Sequence, residues 1–390
     1  MARIYTKPRR RLGSGPTDEY DLIVVGGGPA GSSLAHALTH RGWRVLVMDK
    51  ARFPRDKTCA GWVTPAVLES LDVNPETYGR DHVLQPIRSF RVGLMGQEPV
   101  ETDHGEEPVS YGIRRCEFDN YLLERSGADM ALGEKLHDLR RTEGAWVLNK
   151  RFRAAWLVGA GGHFCPVAAR LGDGPGGYEQ PVTAKEVEFE MTPEQQQRCR
   201  ARGDTPELWF CRDLKGYGWV FRKEEYLNIG LGRQENHQLS VHLAEFVRFM
   251  QDAGRIPEDL PRRYKGHAYL LHGHARRPLT DDHCLLVGDA AGLAYDQSGE
   301  GIRPAVESSL LAADLLARLG DRPETVVAEY DRAIRARFGR RGDESGGVRL
   351  PEWLKATVAP PLMRTDWFTR KVVTEKWFLH TDVPLLHLSA

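Results

Sequence analysis

Two short stretches of this chain set glycines beside groups able to hold or receive charge. In VVGGGPAGSS, Gly26, Gly28 and Gly31 give the spacing GxGxxG, with Ala30 inside it, and Asp49 follows about twenty residues on. In such a turn the first glycine allows the tight bend, the second lets backbone approach a pyrophosphate, and the third lets helix and strand pack closely. The acid accepts from a ribose diol and repels a 2′-phosphate, which suits FAD or NAD and not NADP. Far downstream, Gly299, Glu300 and Gly301 stand directly against an apolar helix. Ile302, Ala305, Val306, Ser309, Leu310 and Ala313 fall three and four apart, and Pro304 is tolerated only in a first turn, so the helix begins near Gly301. Its free amides and roughly half a positive charge face whatever lies beside the glycines, a setting for an anionic group.

These residues need a frame. Asp21 to Val25 and Arg44 to Met48 read as strands flanking a helix from Pro29 to Arg41, a β-α-β unit. Ala155 to Val158 runs into GAGG and Cys284 to Val287 into GDAAG, so glycine turns gather at one end of a parallel sheet. Between them the pattern changes: WFCRDLKGYGWVFRKEEYLNIGLGR alternates like antiparallel strands, with Tyr217, Trp219 and Phe221 on one face. Leu239, Leu243, Phe246, Val247 and Met250 then mark an amphipathic helix. The expected architecture is α/β: a Rossmann-like FAD-binding domain (21–178 and 278–345), an inserted and mainly antiparallel β-sheet substrate domain (179–277), a flexible basic arm (1–20) and a helical, aromatic C-terminal segment (346–390).

Composition narrows the function. With 54 basic and 54 acidic residues in 390, no global field attracts nucleic acid. The six cysteines show no CxxC pair or metal-ligand spacing, as expected of free thiols in a cytoplasmic setting, and no metal is expected. No apolar run is long enough to span a bilayer. The basic arm and the C-terminal aromatics Trp353, Trp367, Phe368, Trp377 and Phe378 suit either packing on their own domain or peripheral contact with a membrane surface.

A second strand and glycine turn reaching the same ligand fits FAD, which is long enough to want both. Here the chain resembles the geranylgeranyl reductase family within the p-hydroxybenzoate hydroxylase-like flavoproteins. The resemblance is carried by VVGGGPAGSS, FPRDKTCAGW, RRCEFDNYLL, KGYGWVFRKEEYLNIGLG and LLVGDAAGLAYDQSGEGIRPAVES, in the family's order over most of residues 20–320. It implies that Asp289, after Gly288, bonds the ribityl chain, or else caps a helix. Arg115 would lie near the FAD phosphates or ribityl, with Lys50 and Lys57 nearby. Gly299, Gly301 and Ile302 would offer amides to the pyrimidine edge of the flavin.

For the chemistry, Cys59 either touches substrate or flavin, or is a packed thiol, and Glu300 either relays a proton or complements the helix dipole. Tyr217, Trp219 and Phe221 resemble the family's aromatic strand, which lines a prenyl pocket. The expected activity is FAD-dependent reduction of C=C bonds in a lipophilic isoprenoid substrate, with NAD(P)H or ferredoxin as donor. The alternatives are a monooxygenase of an aromatic or polyketide-like ring and a non-catalytic flavoprotein that binds a lipid or partner. The sequence departs from its relatives at Gly161, where related hydroxylases carry an acid, at Arg222, where proline often follows the aromatic strand, and at Asp296. His163 and Cys165, two positions apart on a loop, lack the geometry of a nucleophilic pair.

Overall fold

The computed structural model describes residues 18–172, 181–234, 238–341 and 352–387. Most of the basic arm, residues 1–17, and the side chain of Trp353 lie outside the described residues.

Leu22, Ile23 and Val24 are fully buried at the centre of a parallel sheet. Apolar side chains on both faces of a strand are what a sheet covered by helices on both sides requires. The strand Asp18–Val25 lies between Val45–Asp49 and Phe152–Gly159, and Asp129–Leu132 and Cys284–Leu286 extend the sheet on either side. Register brings Val25 beside Met48 and Gly159, and Gly159 beside Leu286. The glycine turns that follow these strands therefore emerge at one end, where ligands of such sheets bind. Helix Pro29–Thr39 packs against the long helix Ile302–Leu319. Both start at a glycine, Gly28 and Gly301.

The second sheet has seven strands in the order Lys265–Tyr269, Val182–Glu190, Tyr226–Arg233, Gly216–Lys223, Glu207–Phe210, Ser89–Leu94 and Val100–Asp103. The stretch 179–277 thus supplies only part of it. Ser89–Leu94 joins in parallel with Glu207–Phe210, where buried Glu207 lies 3.7 Å from Arg91. Helix Leu239–Asp252 covers one face, as its spacing predicts. A Cβ on Gly218 would sit 2.7 Å from the Phe246 ring of that helix, so Gly218 marks the covered face. By strand alternation Tyr217 and Trp219 belong to the opposite face, toward the parallel sheet.

The C-terminal segment, with helical stretches Glu352–Leu362 and Thr369–Phe378, packs on that same side. Met363, Val373 and Phe378 are buried with Trp62, Phe90, Trp219 and Phe221, and Phe378 stacks on Trp62 at 5.5 Å. Trp367 is 66% exposed. Among the described residues no helix is long and apolar enough to cross a membrane.

Candidate active site

Between the two sheets lies a cavity of about 660 Å³, within the range of cofactor and ligand sites. Its nucleotide end begins where the first strand stops. Gly26, at φ +118°, could carry no side chain, because a Cβ would lie 2.3 Å from the Ala160 carbonyl oxygen. Asp49, at the tip of the second strand, is fixed at both oxygens: Gly27 N donates to Oδ2 and Ala51 N to Oδ1, each at 2.8 Å. Its remaining lone pairs are left for a diol. Beside Gly28, Arg55 pairs at 3.1 Å with buried Asp119, which also takes two hydrogen bonds from Arg115 at 2.7 and 2.8 Å. Two guanidinium groups sharing one carboxylate leave net positive charge at this wall.

The other end is built on the Asp289 turn and the long helix. Glu300 Oε1 accepts from Arg303 N at 3.0 Å, and Pro304 has no amide proton, which leaves the first-turn amides of Gly301 and Ile302 for a ligand. The glycines here answer protein groups as well. A Cβ on Gly301 would meet Asp289 Oδ1 at 2.9 Å, and one on Gly299 (φ +69°) would meet the Tyr269 hydroxyl oxygen. Asp289 lies 3.7 Å from His267 Nε2, which is 2.8 Å from Lys57 Nζ. Burial would raise the Asp289 carboxyl, but His267, Lys57 and Arg115 outweigh it and hold the group below its usual value. Burial and the neighbouring Arg115 bring Lys57 down to about 8.

The sequence candidates divide accordingly. Gly26, Gly28, Ala30, Asp49 and Lys50 line the nucleotide end. Lys57, Cys59, Arg115 and Asp289 line the middle, and Gly299, Glu300, Gly301 and Ile302 the far side, with Tyr217 and Trp219 on the sheet wall. Three candidates stand elsewhere. Gly31 lies in the first turn of helix Pro29–Thr39, where a Cβ would come 1.8 Å from the Gly26 carbonyl oxygen, and Gly288 (φ +58°) fits between Ala30 and Ala305. Both shape the turns without lining the cavity. Phe221 shares the face of Tyr217 and Trp219 but is buried behind Trp62, 6.0 Å from its ring, so it supports the wall. His163 bonds Arg277, while Cys165 is buried at the start of Pro166–Leu171. Sequence reasoning missed His267, Tyr269 and Trp62. The alternation of KGHAY, with His267 and Tyr269 two apart, was the available signal for the first two.

Comparison with known proteins agrees with this geometry. Residues 19–74 match the FAD binding domain family. The chain is 31% identical over 326 residues to a menaquinone reductase of Mycobacterium tuberculosis, covering 77% of each protein. The chain belongs to the geranylgeranyl reductase family of FAD-dependent oxidoreductases. A digeranylgeranylglycerophospholipid reductase of Methanocaldococcus jannaschii is 25% identical, covering 81% of this chain and 82% of that protein. The fold is that of a geranylgeranyl bacteriochlorophyll reductase-like protein of Thermoplasma acidophilum, at TM-score 0.70, 20% identity and coverage of 89% and 88%. For this family member FAD is the cofactor. The fixed Asp49 carboxylate, the side-chain-free approach at Gly28, the cationic wall and two helix starts in one cavity fit its diol, pyrophosphate and anionic ring edge.

Glu300 carries a prediction of its own. Its Oε2 is buried without a hydrogen bond, 3.7 Å from His380 Nε2. Burial lifts the carboxyl to about 7 against the lowering influence of the Arg303 amide and charge, while burial drops His380 to about 4. Below the ordinary carboxylate value both folded and unfolded chains hold this proton. As pH rises from there toward 7 only the folded chain keeps it, so the fold loses stability across that window and no more above it. The loss amounts to about 3 kcal/mol. Glu300→Gln, which cannot ionise, should gain stability relative to the parent protein between pH 5 and 8, read by urea denaturation at each pH. A constant difference across that range would show that the carboxyl ionises normally.

Proposed function

We propose that this protein saturates C=C bonds of an isoprenoid chain on a lipophilic substrate. One observation carries the reading: the cavity that fits FAD continues without interruption into a wall of Trp62, Tyr217, Trp219, Ala60 and Ala184, with Cys59 at the junction. Reduced FAD, when bound, supplies a hydride. The chain's part is to hold the double bond against that wall, keep water away and supply a proton to the second carbon. Large rings bury apolar area with few rotatable bonds, and Tyr217 is locked by a 2.5 Å hydrogen bond from its hydroxyl to the Ser298 carbonyl. The wall is therefore pre-formed, suited to an apolar chain with no polar handle.

Of the two catalytic candidates, Cys59 fits proton delivery, as a half-buried thiol on the cavity wall. Glu300 has one oxygen on the Arg303 amide and the other buried toward His380, which suits holding the glycine turn. The flavin contacts assigned to Asp49, Arg115, Asp289, Gly301 and Ile302 belong to the same proposal. So does a cytoplasmic location with peripheral membrane contact, supported by exposed Trp367.

The test is anaerobic reduction of the purified protein, with NADPH, NADH or ferredoxin compared as donors and dithionite as a control. A prenylated lipid or quinone is then added and followed by mass spectrometry. Reoxidation of the flavin with a gain of two hydrogens per double bond is expected. Oxygen uptake coupled to a product carrying one oxygen atom would replace this reading with hydroxylation.

A further inference from the structure

The sheet face that looks into the cavity carries a buried polar cluster to which hydride transfer assigns no role. Strand register sets it out. Asn228 stands opposite Phe221 on one side and Glu188 on the other, and Gly230 stands between Trp219 and Glu186. A Cβ on Gly230 would come 2.2 Å from the Trp219 ring, so the indole lies across the glycine. Trp219 Nε1 then donates to Asn228 Oδ1 at 2.8 Å. Asn228 Nδ2 donates to Glu186 Oε2 at 2.6 Å and to the Cys59 main-chain oxygen at 3.0 Å, with Glu188 Oε2 at 3.2 Å. Lys223, fully buried, donates to Glu188 Oε2 at 2.5 Å.

Asn228 is 0% exposed, and both protons of its amide nitrogen are committed while its oxygen accepts from Trp219. Among the described residues it is the one side chain with hydrogen bonds to both the aromatic wall and the segment bearing the thiol, which lies 169 residues away in sequence. A neutral amide suits the place, because its surroundings already hold Glu186, Glu188 and the Lys223 ammonium. Burial lifts Glu186 to about 7, so near neutrality much of it is uncharged and Glu188 answers Lys223. Gly61, two residues past the thiol and at φ +66°, closes over Lys223, whose Nζ occupies the space of a Cβ. The cluster grips the loop from beneath at Cys59 and at Gly61.

We propose that Asn228 is a positioning residue, holding the Cys59 segment and the Trp219 wall at a fixed separation across the cavity. What that separation serves rests on the reductase reading, whereas the grip itself is a property of the fold. A misplacement on the order of 1 Å at a reacting group can cost about a hundredfold in rate.

The test uses FAD-loaded protein in a Cys116→Ser background, since Cys59 and Cys116 are the half-buried cysteines and the other four are buried. Asn228→Asp keeps the acceptor for Trp219 and loses the donors. Asn228→Ser is the milder partner should the extra carboxylate prevent folding. Alkylation of Cys59 by N-ethylmaleimide should accelerate by roughly tenfold, and kcat on a prenyl substrate should fall by roughly tenfold with KM little changed. Alkylation within twofold of the parent rate in a folded variant would overturn the proposal. So would equal acceleration at buried Cys199 and Cys211 of the same domain, which would mean that the domain has merely loosened. If the parent protein does not hydrogenate the prenyl substrate, the reductase reading fails while the thiol comparison still decides the role of Asn228.

Discussion

Gly26→Ala is expected to yield a colourless, strongly destabilised protein, and Gly28→Ala a stable one that binds FAD poorly. At Gly26 the obstacle is main chain: the Ala160 carbonyl oxygen and carbon at 2.3 and 2.5 Å from a Cβ, and Gly161 N at 2.7 Å. Neither strand can yield by rotating a side chain, and Ala160 N is already bonded to the Val25 carbonyl at 2.8 Å. Adding the strain of φ +118°, the fold should lose roughly 3 kcal/mol or more and FAD occupancy should fall by about a hundredfold. At Gly28 a Cβ meets only Arg55 Nη2 at 3.3 Å and Asp119 Oδ2 at 4.0 Å. An arginine tip can move aside, so apoprotein stability should change by less than about 1 kcal/mol. The methyl would nevertheless fill the approach to the first helix, and FAD affinity should drop by roughly tenfold or more. Thermal melts of apoprotein and the absorbance ratio of flavin to protein separate the two effects. Unchanged flavin binding by Gly28→Ala would remove the pyrophosphate from this turn.

What the sequence displays of this site is its local part. GxGxxG, Asp49 and the helix beginning at Gly301 are each legible because the constraint acts within a few residues: a bend, a strand tip, a proline allowed only in a first turn. The contacts that tune the chemistry are of another kind. Lys57 and His267 meet across 210 positions, and Asn228 reaches Cys59 across 169. No periodicity encodes which strand faces which loop. The same limit hid the membership of Ser89–Leu94 in the antiparallel sheet, since its parallel partner Glu207–Phe210 lies far along the chain. Phe221 shows a subtler failure. Alternation places it on the face of Tyr217 and Trp219, but depth along a strand is decided by what arrives from elsewhere, here Trp62 and Phe378. The glycines at 299 and 301 read as room for a ligand, and the structure adds a second cause in the Tyr269 hydroxyl and the Asp289 carboxylate pressed against them.

Arg303→Met is expected to release the C-terminal segment from the cavity. Arg303 is 2% exposed and spends its donors on Glu307 Oε1 at 2.9 Å and on the carbonyls of His380, Val383 and Pro384 at 3.3, 2.9 and 3.1 Å. Methionine fills similar space and donates nothing, so the His380 and Val383 carbonyls lose this donor, while the Pro384 carbonyl keeps Arg337 at 2.7 Å and Glu307 keeps Arg337 at 2.6 and 2.8 Å. Breaking a buried pair in this way costs about 3 kcal/mol. The effect should concentrate where the bonds are lost. Residues 380–384 anchor the stretch whose Phe378 stacks on Trp62, and Trp62 is part of the proposed substrate wall. Trypsin should therefore cut at Lys371 and Lys376 roughly tenfold faster in the variant under native conditions, because local opening becomes cheaper than global unfolding. Flavin content should stay near that of the parent, as the nucleotide end lies on other elements, while KM for a prenyl substrate rises. Arg337→Met is the matched control: it bonds Glu307 and the Pro384 carbonyl but neither His380 nor Val383, so its cleavage rate should fall between the two. Equal protection of all three proteins, with an equal KM, would mean that the segment is held by its aromatic packing alone and that Arg303 contributes nothing to closing the cavity.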